Sequence, residues 1–168
     1  MVKRNTVSCI QKKAADGEKL VMVTAYDYPM ARMADAAGVD MILVGDSLGN
    51  TVLGYDSTLP VTIEEVLHHT RPVVRGSERA MVIMDMPFGS YQVSEEQAVA
   101  NCVRALKEGG AGAVKLEGGK DIAPLVSALT KRGIPVMAHI GLLPQTAMLW
   151  EGYRVQGRDE DSAWMLVE

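Results

Sequence analysis

Five short apolar segments alternate with segments of helical periodicity, and this rhythm constrains the fold most strongly. The apolar segments cover residues 19–25, 40–45, 80–85, 113–117 and 134–139. They are nearly continuous in apolar residues rather than alternating, which is typical of parallel strands covered on both faces. The order β-α, repeated, therefore predicts a parallel α/β fold, either a (β/α)₈ barrel or a doubly wound sheet.

Two helix starts carry capping-box chemistry, Thr62 with Glu65 and Ser94 with Gln97. After the third and fourth apolar segments, apolar residues recur at intervals of three and four, which predicts one helix face packed on the sheet. These faces consist of Ala98, Val99, Cys102, Val103 and Leu106 in one helix, and of Ile122, Leu125, Val126 and Leu129 in the next.

Length and composition indicate one soluble globular domain over residues 1–168, with 48% hydrophobic and 23% charged residues. The net charge of -4 gives no broad basic face, so small molecules are expected as partners rather than nucleic acid. Cys9 and Cys102 have neither disulfide nor zinc-site spacing. No apolar stretch approaches the ~18 residues of a membrane span, so a cytoplasmic location without membrane contact is expected.

Three carboxylates, Asp46, Asp85 and Glu117, each close one of the apolar segments. Parallel strands deliver their last residues to the same face of the sheet, so these acids are predicted to meet around one cation. Oxygen ligands without cysteine favour a hard cation, Mg²⁺ first. The alternative is that each acid only caps the helix that follows it.

Other polar residues accompany these acids at the strand ends. Glycines flank Ser47 in the GDSLG segment and allow a ligand to approach its hydroxyl. An esterase role for Ser47 would need a His-containing partner motif, which the sequence lacks.

Lys115 and Glu117 project to the same side of a strand, which faces inward in a barrel. Burial of this charged pair would be costly unless the pair served a functional site. His139 ends the fifth segment on the same face, while the adjacent His68 and His69 point about 100° apart and are predicted to be structural or exposed.

A hard cation held by such acids can bind the carboxylate and the ketone of a 2-oxo acid together. It then stabilises the negative charge that develops as a neighbouring C–H loses its proton. Lys115 would add positive charge beside the same oxygens. The predicted chemistry is therefore Mg²⁺-stabilised enolate formation.

Seven segments together resemble the ketopantoate hydroxymethyltransferase family, from about residue 3 to the end. They are VTAYD (23–27), GDSLG (45–49), GYDSTLPVT (54–62), DMPFGSY (85–91), KLEGG (115–119), HIGLLPQ (139–145) and GYRVQGR (152–158). The resemblance implies a (β/α)₈ barrel of the phosphoenolpyruvate/pyruvate type. It also implies transfer of a one-carbon unit from 5,10-methylenetetrahydrofolate to 3-methyl-2-oxobutanoate, giving 2-dehydropantoate for pantothenate biosynthesis.

By resemblance, the Mg²⁺ ligands are Asp46, Asp85 and Glu117, and Ser47 and Lys115 contact the substrate. The predicted substrate-binding set is Asp46, Ser47, Asp85, Lys115 and His139. Leu143 stands where the family usually has Thr. The resemblance further implies a homo-oligomer, since the family forms high-order rings.

The length of the chain is the main departure from the family. Only five strands are evident, and the chain stops at Glu168 inside an unfinished helical segment, so the barrel is expected to be incomplete. By resemblance the proton-accepting glutamate lies beyond this point, and no catalytic base is assigned. A non-catalytic metal- and oxo-acid-binding fragment or assembly partner is therefore an alternative function. A lyase or mutase of the same barrel type is another, disfavoured by GYDSTLPVT and GYRVQGR.

Overall fold

The computed structural model describes residues 4–147 and 152–167 and has a parallel five-stranded sheet at its centre. The strands are β1 Met22–Thr24, β2 Met41–Val44, β3 Met81–Asp85, β4 Ala113–Glu117 and β5 Val136–His139. Each lies within one of the predicted apolar segments, and all neighbouring pairs are parallel. The predicted strands and their direction are thus confirmed.

Helices alternate with these strands along the chain. They are α1 Val7–Ala15, α2 Tyr28–Ala36, α3 Ile63–Gly76, α4 Glu95–Lys107, α5 Ala123–Lys131, α6 Pro144–Ala147 and α7 Glu160–Val167, with a π-helical turn at Gly49–Leu53 and a 3₁₀ turn at Lys120–Ile122. None of the helices in the described ranges has both the length and the apolar character needed to cross a lipid bilayer.

Strand order distinguishes between the two predicted folds. The strands lie in the order β1-β2-β3-β4-β5, whereas a doubly wound sheet reverses its order at a switch point. The sequential order is that of a barrel wall, and a closed barrel of this class has eight strands. The five strands of the described residues therefore form an open wall. Its β1 edge is exposed, with Met22 at 40% and Val23 at 37%.

The two faces of the sheet carry different clusters of apolar residues. Alternate residues such as Ile42, Val82 and Val114 point into the main core, which the helices cover. The other face has a smaller cluster of Met41, Met81, Ile83 and Ala113, against which Val7 and Ile10 of α1 pack. Because side chains alternate along a strand, Asp85, Lys115 and Glu117 continue this second face at the carboxyl ends of β3 and β4.

Of the two predicted capping boxes, one is complete. Thr62 accepts the backbone N–H of Glu65, whose carboxylate accepts the backbone N–H of Thr62 at 2.7 Å. Ser94 accepts the backbone N–H of Gln97, but the side-chain oxygen of Gln97 is buried without a hydrogen bond. The second box is thus only half formed.

The predicted buried face of α4 is correct except at one position. Ala98 and Cys102 are fully buried, and Val99 and Leu106 pack against the core. Val103 is instead 37% exposed, and Ala105 is buried in its place. Residues three and four positions apart form an apolar face that covers about a third of the helix circumference. Val103 lies just outside this face and is therefore partly exposed.

Candidate active site

A cluster of three acids and one lysine occupies the carboxyl end of the sheet. Lys115 Nζ donates to both carboxylate oxygens of Asp85, at 2.8 and 2.7 Å, and to Glu117 Oε1 at 3.1 Å. Asp46 follows β2 and joins the cluster through a neighbouring amide, described below. All four residues are buried, none more than 8% exposed. The structure thus brings together the acids that the sequence predicted to converge.

Gln145 connects the acids to one another. Its Nε2 donates to Asp46 Oδ2 at 2.9 Å and to the Met86 carbonyl at 2.8 Å. Its backbone N–H donates to Glu117 Oε2 at 3.2 Å. Gln145 was not among the predicted site residues, although its place in HIGLLPQ, just after β5, was an available signal.

Tyr91 also belongs to this buried network and was not predicted. Its hydroxyl lies 2.8 Å from Gln145 Oε1 and 3.0 Å from the Glu117 carbonyl, and shares one proton between them. The same oxygen accepts the backbone N–H of Glu117 at 3.2 Å. Tyr91 ends the DMPFGSY segment, which begins with Asp85.

The alternative role of the acids as helix caps is wrong. The helical segments after Asp46, Asp85 and Glu117 begin at other N-cap residues: Leu48, Ser94 and Gly119. The carboxylates instead point into the cluster, where they face each other and Lys115.

The electrostatics of the cluster are dominated by burial. Burial raises the pKa of Asp46, and raises that of Asp85 to about 7, although the Lys115 charge opposes the rise. Burial would lower the pKa of Lys115, but Asp85 and Glu117 outweigh it and the pKa is raised. Lys115 is therefore protonated, and three carboxylates face one ammonium, which leaves a charge of about -2 when all are ionised.

This charge excess and the all-oxygen donor set fit a divalent hard cation. In the described part of the chain, no three acid, histidine or cysteine side chains are already spaced to surround a metal ion. Lys115 and Gln145 instead hold oxygens of all three acids. A cation would share these carboxylates with both residues.

Two further polar atoms border the cluster without hydrogen bonds of their own. His139 Nδ1 lies 3.3 Å from Glu117 Oε1 but is not bonded to it in a favourable geometry. The Thr58 hydroxyl is buried beside Asp46 and also lacks a well-formed hydrogen bond. Buried polar groups without partners are uncommon, and next to an acid cluster they are consistent with a site that accepts a polar ligand.

Ser47 is held beside the cluster by the loop after β1. Its Oγ lies 2.8 Å from the hydroxyl of Tyr26, whose carbonyl lies 2.7 Å from His69 Nδ1. A Cβ on Gly45 would lie 2.7 Å from Ser47 Oγ and 3.7 Å from Asp85 Oδ2. Gly45 therefore permits this close packing, and His69 has the structural role predicted for it.

Comparison with known proteins identifies the family. The sequence profile of ketopantoate hydroxymethyltransferase matches residues 4–168. The chain belongs to this family. Two 3-methyl-2-oxobutanoate hydroxymethyltransferases illustrate the similarity. That of Heliobacterium modesticaldum is 55% identical, over 100% of this chain and 61% of the relative. That of Carboxydothermus hydrogenoformans is 58% identical, over 98% of this chain and 60% of the relative.

The chain of this ketopantoate hydroxymethyltransferase family member thus spans about 60% of the length of these curated relatives. Solved structures support the barrel class. A 2,3-dimethylmalate lyase of the PEP mutase/isocitrate lyase superfamily superposes with a TM-score of 0.63 at 16% identity, over 98% of this chain and 57% of that chain. A phosphonopyruvate hydrolase solved with oxalate and Mg²⁺ superposes with a TM-score of 0.59 at 18% identity, over 80% of this chain and 52% of that chain.

Proposed function

We propose that the protein acts in hydroxymethyl transfer from 5,10-methylenetetrahydrofolate to 3-methyl-2-oxobutanoate, giving 2-dehydropantoate for pantothenate biosynthesis. The single observation that carries the proposal is the buried cluster of Asp46, Asp85, Glu117 and Lys115 at the carboxyl end of the sheet. Family membership supports the reaction, since relatives above 50% identity are named for it.

The proposed cofactor is Mg²⁺, with Asp46, Asp85 and Glu117 as its ligands. Support comes from their burial and from the unbalanced negative charge that they share with one lysine. When bound there, Mg²⁺ polarises the 2-oxo group and makes the neighbouring C–H more acidic. Folate serves as co-substrate, not as a resident cofactor.

The side chains of the site have distinct proposed roles in substrate binding. Lys115 places a positive charge beside the oxygens of the 2-oxo acid, and burial strengthens this attraction. Ser47 and His139 offer a hydroxyl and an imidazole at the edge of the cluster. We assign no proton acceptor among the described residues, because by resemblance that role belongs to a glutamate outside them.

We also propose a homo-oligomer in the cytoplasm. Trp164 and Met165 of α7 are 61% and 71% exposed and offer apolar surface for a contact between copies. Cys9 and Cys102 are both free thiols, in keeping with a reducing compartment. Light scattering of the purified protein measures the oligomeric state directly.

The test of the site is isothermal titration calorimetry with Mg²⁺ and 3-methyl-2-oxobutanoate. Asp85→Asn should weaken Mg²⁺ binding by more than about tenfold, because a contacting carboxylate contributes at least as much as an outer-shell partner. Asp121→Asn is the matched control, the same change at an exposed acid near the same end of the sheet. Equal Mg²⁺ affinity in parent and Asp85→Asn would contradict the assignment.

The test of the reaction is folate-dependent formation of 2-dehydropantoate, followed by mass spectrometry. Product formation that depends on Asp85 supports the transferase. Binding of Mg²⁺ and 2-oxo acid without product would favour the alternative of a non-catalytic binding protein.

A further inference from the structure

We propose that Gln145 is a positioning residue that fixes how the carboxylates of Asp46 and Glu117 face the cation. The inference rests on the proposed Mg²⁺ site and extends it to a residue outside the ligand set. Gln145 lies on α6, directly after β5, and is 1% exposed.

The orientation of the Gln145 amide is determined by its neighbours. Nε2 faces Asp46 Oδ2 and the Met86 carbonyl, and the carbonyl can only accept. Oε1 faces the Tyr91 hydroxyl, which can donate. A flipped amide would place its oxygen against the Met86 carbonyl and its nitrogen protons away from it. The amide thus has one satisfied orientation, with both protons used.

One residue in this way contacts the ends of three strands. Asp46 follows β2, Met86 follows β3, and Glu117 ends β4. The side chain of Gln145 reaches the first two, and its backbone N–H reaches the third. Movement of α6 would therefore alter two proposed metal ligands together.

The acids need such a restraint because they repel each other. Asp46 and Glu117 interact unfavourably as like charges in a buried site. Gln145 holds one oxygen of each carboxylate, Oδ2 of Asp46 and Oε2 of Glu117. A carboxylate with one oxygen held has a defined direction for the other, which is what a cation with strict octahedral preference requires.

The experiment compares Gln145→Met with Gln156→Met. Methionine keeps the length of glutamine and removes the side-chain amide that holds Asp46, while the backbone N–H that bonds Glu117 stays. Gln156 is exposed, and its Nε2 donates to the nearby Arg154 carbonyl. Mg²⁺ affinity is measured by calorimetry without substrate. Gln145→Met should bind Mg²⁺ roughly 10- to 100-fold more weakly, as found for outer-shell partners of metal ligands. Gln156→Met should match the parent.

A second readout separates positioning from loss of structure. The EPR spectrum of bound Mn²⁺ reports the arrangement of its ligand oxygens, so at saturating Mn²⁺ the spectrum of Gln145→Met should differ from the parent. Circular dichroism of the same samples should be unchanged. Unchanged Mg²⁺ affinity together with an unchanged Mn²⁺ spectrum would overturn the inference.

Tyr91→Phe provides the test should Gln145→Met fail to fold. It keeps the Gln145 amide but removes the hydroxyl that bonds both Gln145 Oε1 and the Glu117 backbone, so a loss of Mg²⁺ affinity is expected, and no loss would overturn the inference. The parent serves to separate the two proposals. A parent without Mg²⁺ binding contradicts the metal site and the role of Gln145 together. If the parent binds Mg²⁺ and both variants bind it equally tightly, only the positioning role of Gln145 is contradicted.

Discussion

Lys115 and Asp85 are register partners on β4 and β3, and the lysine ammonium contacts both oxygens of the aspartate. The pairing of the two strands therefore sets this ion pair, rather than the flexibility of either side chain. Lys115 is the only cationic side chain hydrogen-bonded to the acids of the described pocket. Its replacement should therefore change both the stability of the protein and its affinity for ligands.

Lys115→Met should destabilise the metal-free protein by ~3 to 5 kcal/mol, because it leaves buried carboxylates without their counter-charge. Urea unfolding measures the change. Lys12→Met is the matched control, since the Lys12 pair with Asp16 is exposed and should contribute ~1 kcal/mol or less. Similar losses in both variants would show that Lys115 does not compensate the acids.

The same Lys115→Met variant should bind 3-methyl-2-oxobutanoate more weakly while keeping most of its Mg²⁺ affinity. In the proposed site, Lys115 meets the charge of the substrate, whereas the acids meet the cation. Calorimetry at a temperature where the variant is folded measures both ligands. Equal loss of the two would instead indicate a structural role for Lys115.

Gly45→Ala should weaken 2-oxo acid binding and destabilise the protein by ~1 to 3 kcal/mol, a typical cost of overpacking. The new methyl group would lie 2.7 Å from Ser47 Oγ and displace it. The control is the same change in the Ser47→Ala background, where the contacting Oγ is absent and the added methyl group should cost less stability. Calorimetry measures 2-oxo acid binding and thermal unfolding measures stability, and an equal loss of stability in both backgrounds would contradict the packing argument.

Asp35→Asn should remove part of the acid sensitivity of the fold. Burial alone would raise the pKa of Asp35, but hydrogen bonds from Ala80 and Arg79 outweigh it and lower the pKa below 3.8. A lowered pKa means stability that is present above pH ~4 and lost as pH falls through the folded pKa. Urea unfolding between pH 5 and pH 2 should show a flatter profile in Asp35→Asn, whereas Asp16→Asn, at an exposed position, should follow the parent.

The sequence predicted the fold better than the connections within the site. Near-continuous apolar segments specified all five strands, and the acids at their ends marked the pocket. Gln145 and Tyr91 were missed because their roles depend on contacts across 99 and 26 residues, which no local periodicity encodes. Val103 was misplaced because a small rotation of a helix decides which residue at the edge of its apolar face is covered.

The sequential strand order has a consequence for synthesis on the ribosome. Each strand pairs with the next one in the chain, as Met22 does with Met41, so the sheet can grow one βα unit at a time as the polypeptide emerges. The contact between Gln145 and Asp46 cannot form until α6 has left the exit tunnel. The nascent chain therefore acquires its scaffold first, and the contacts that join the buried acids through Gln145 form only afterwards.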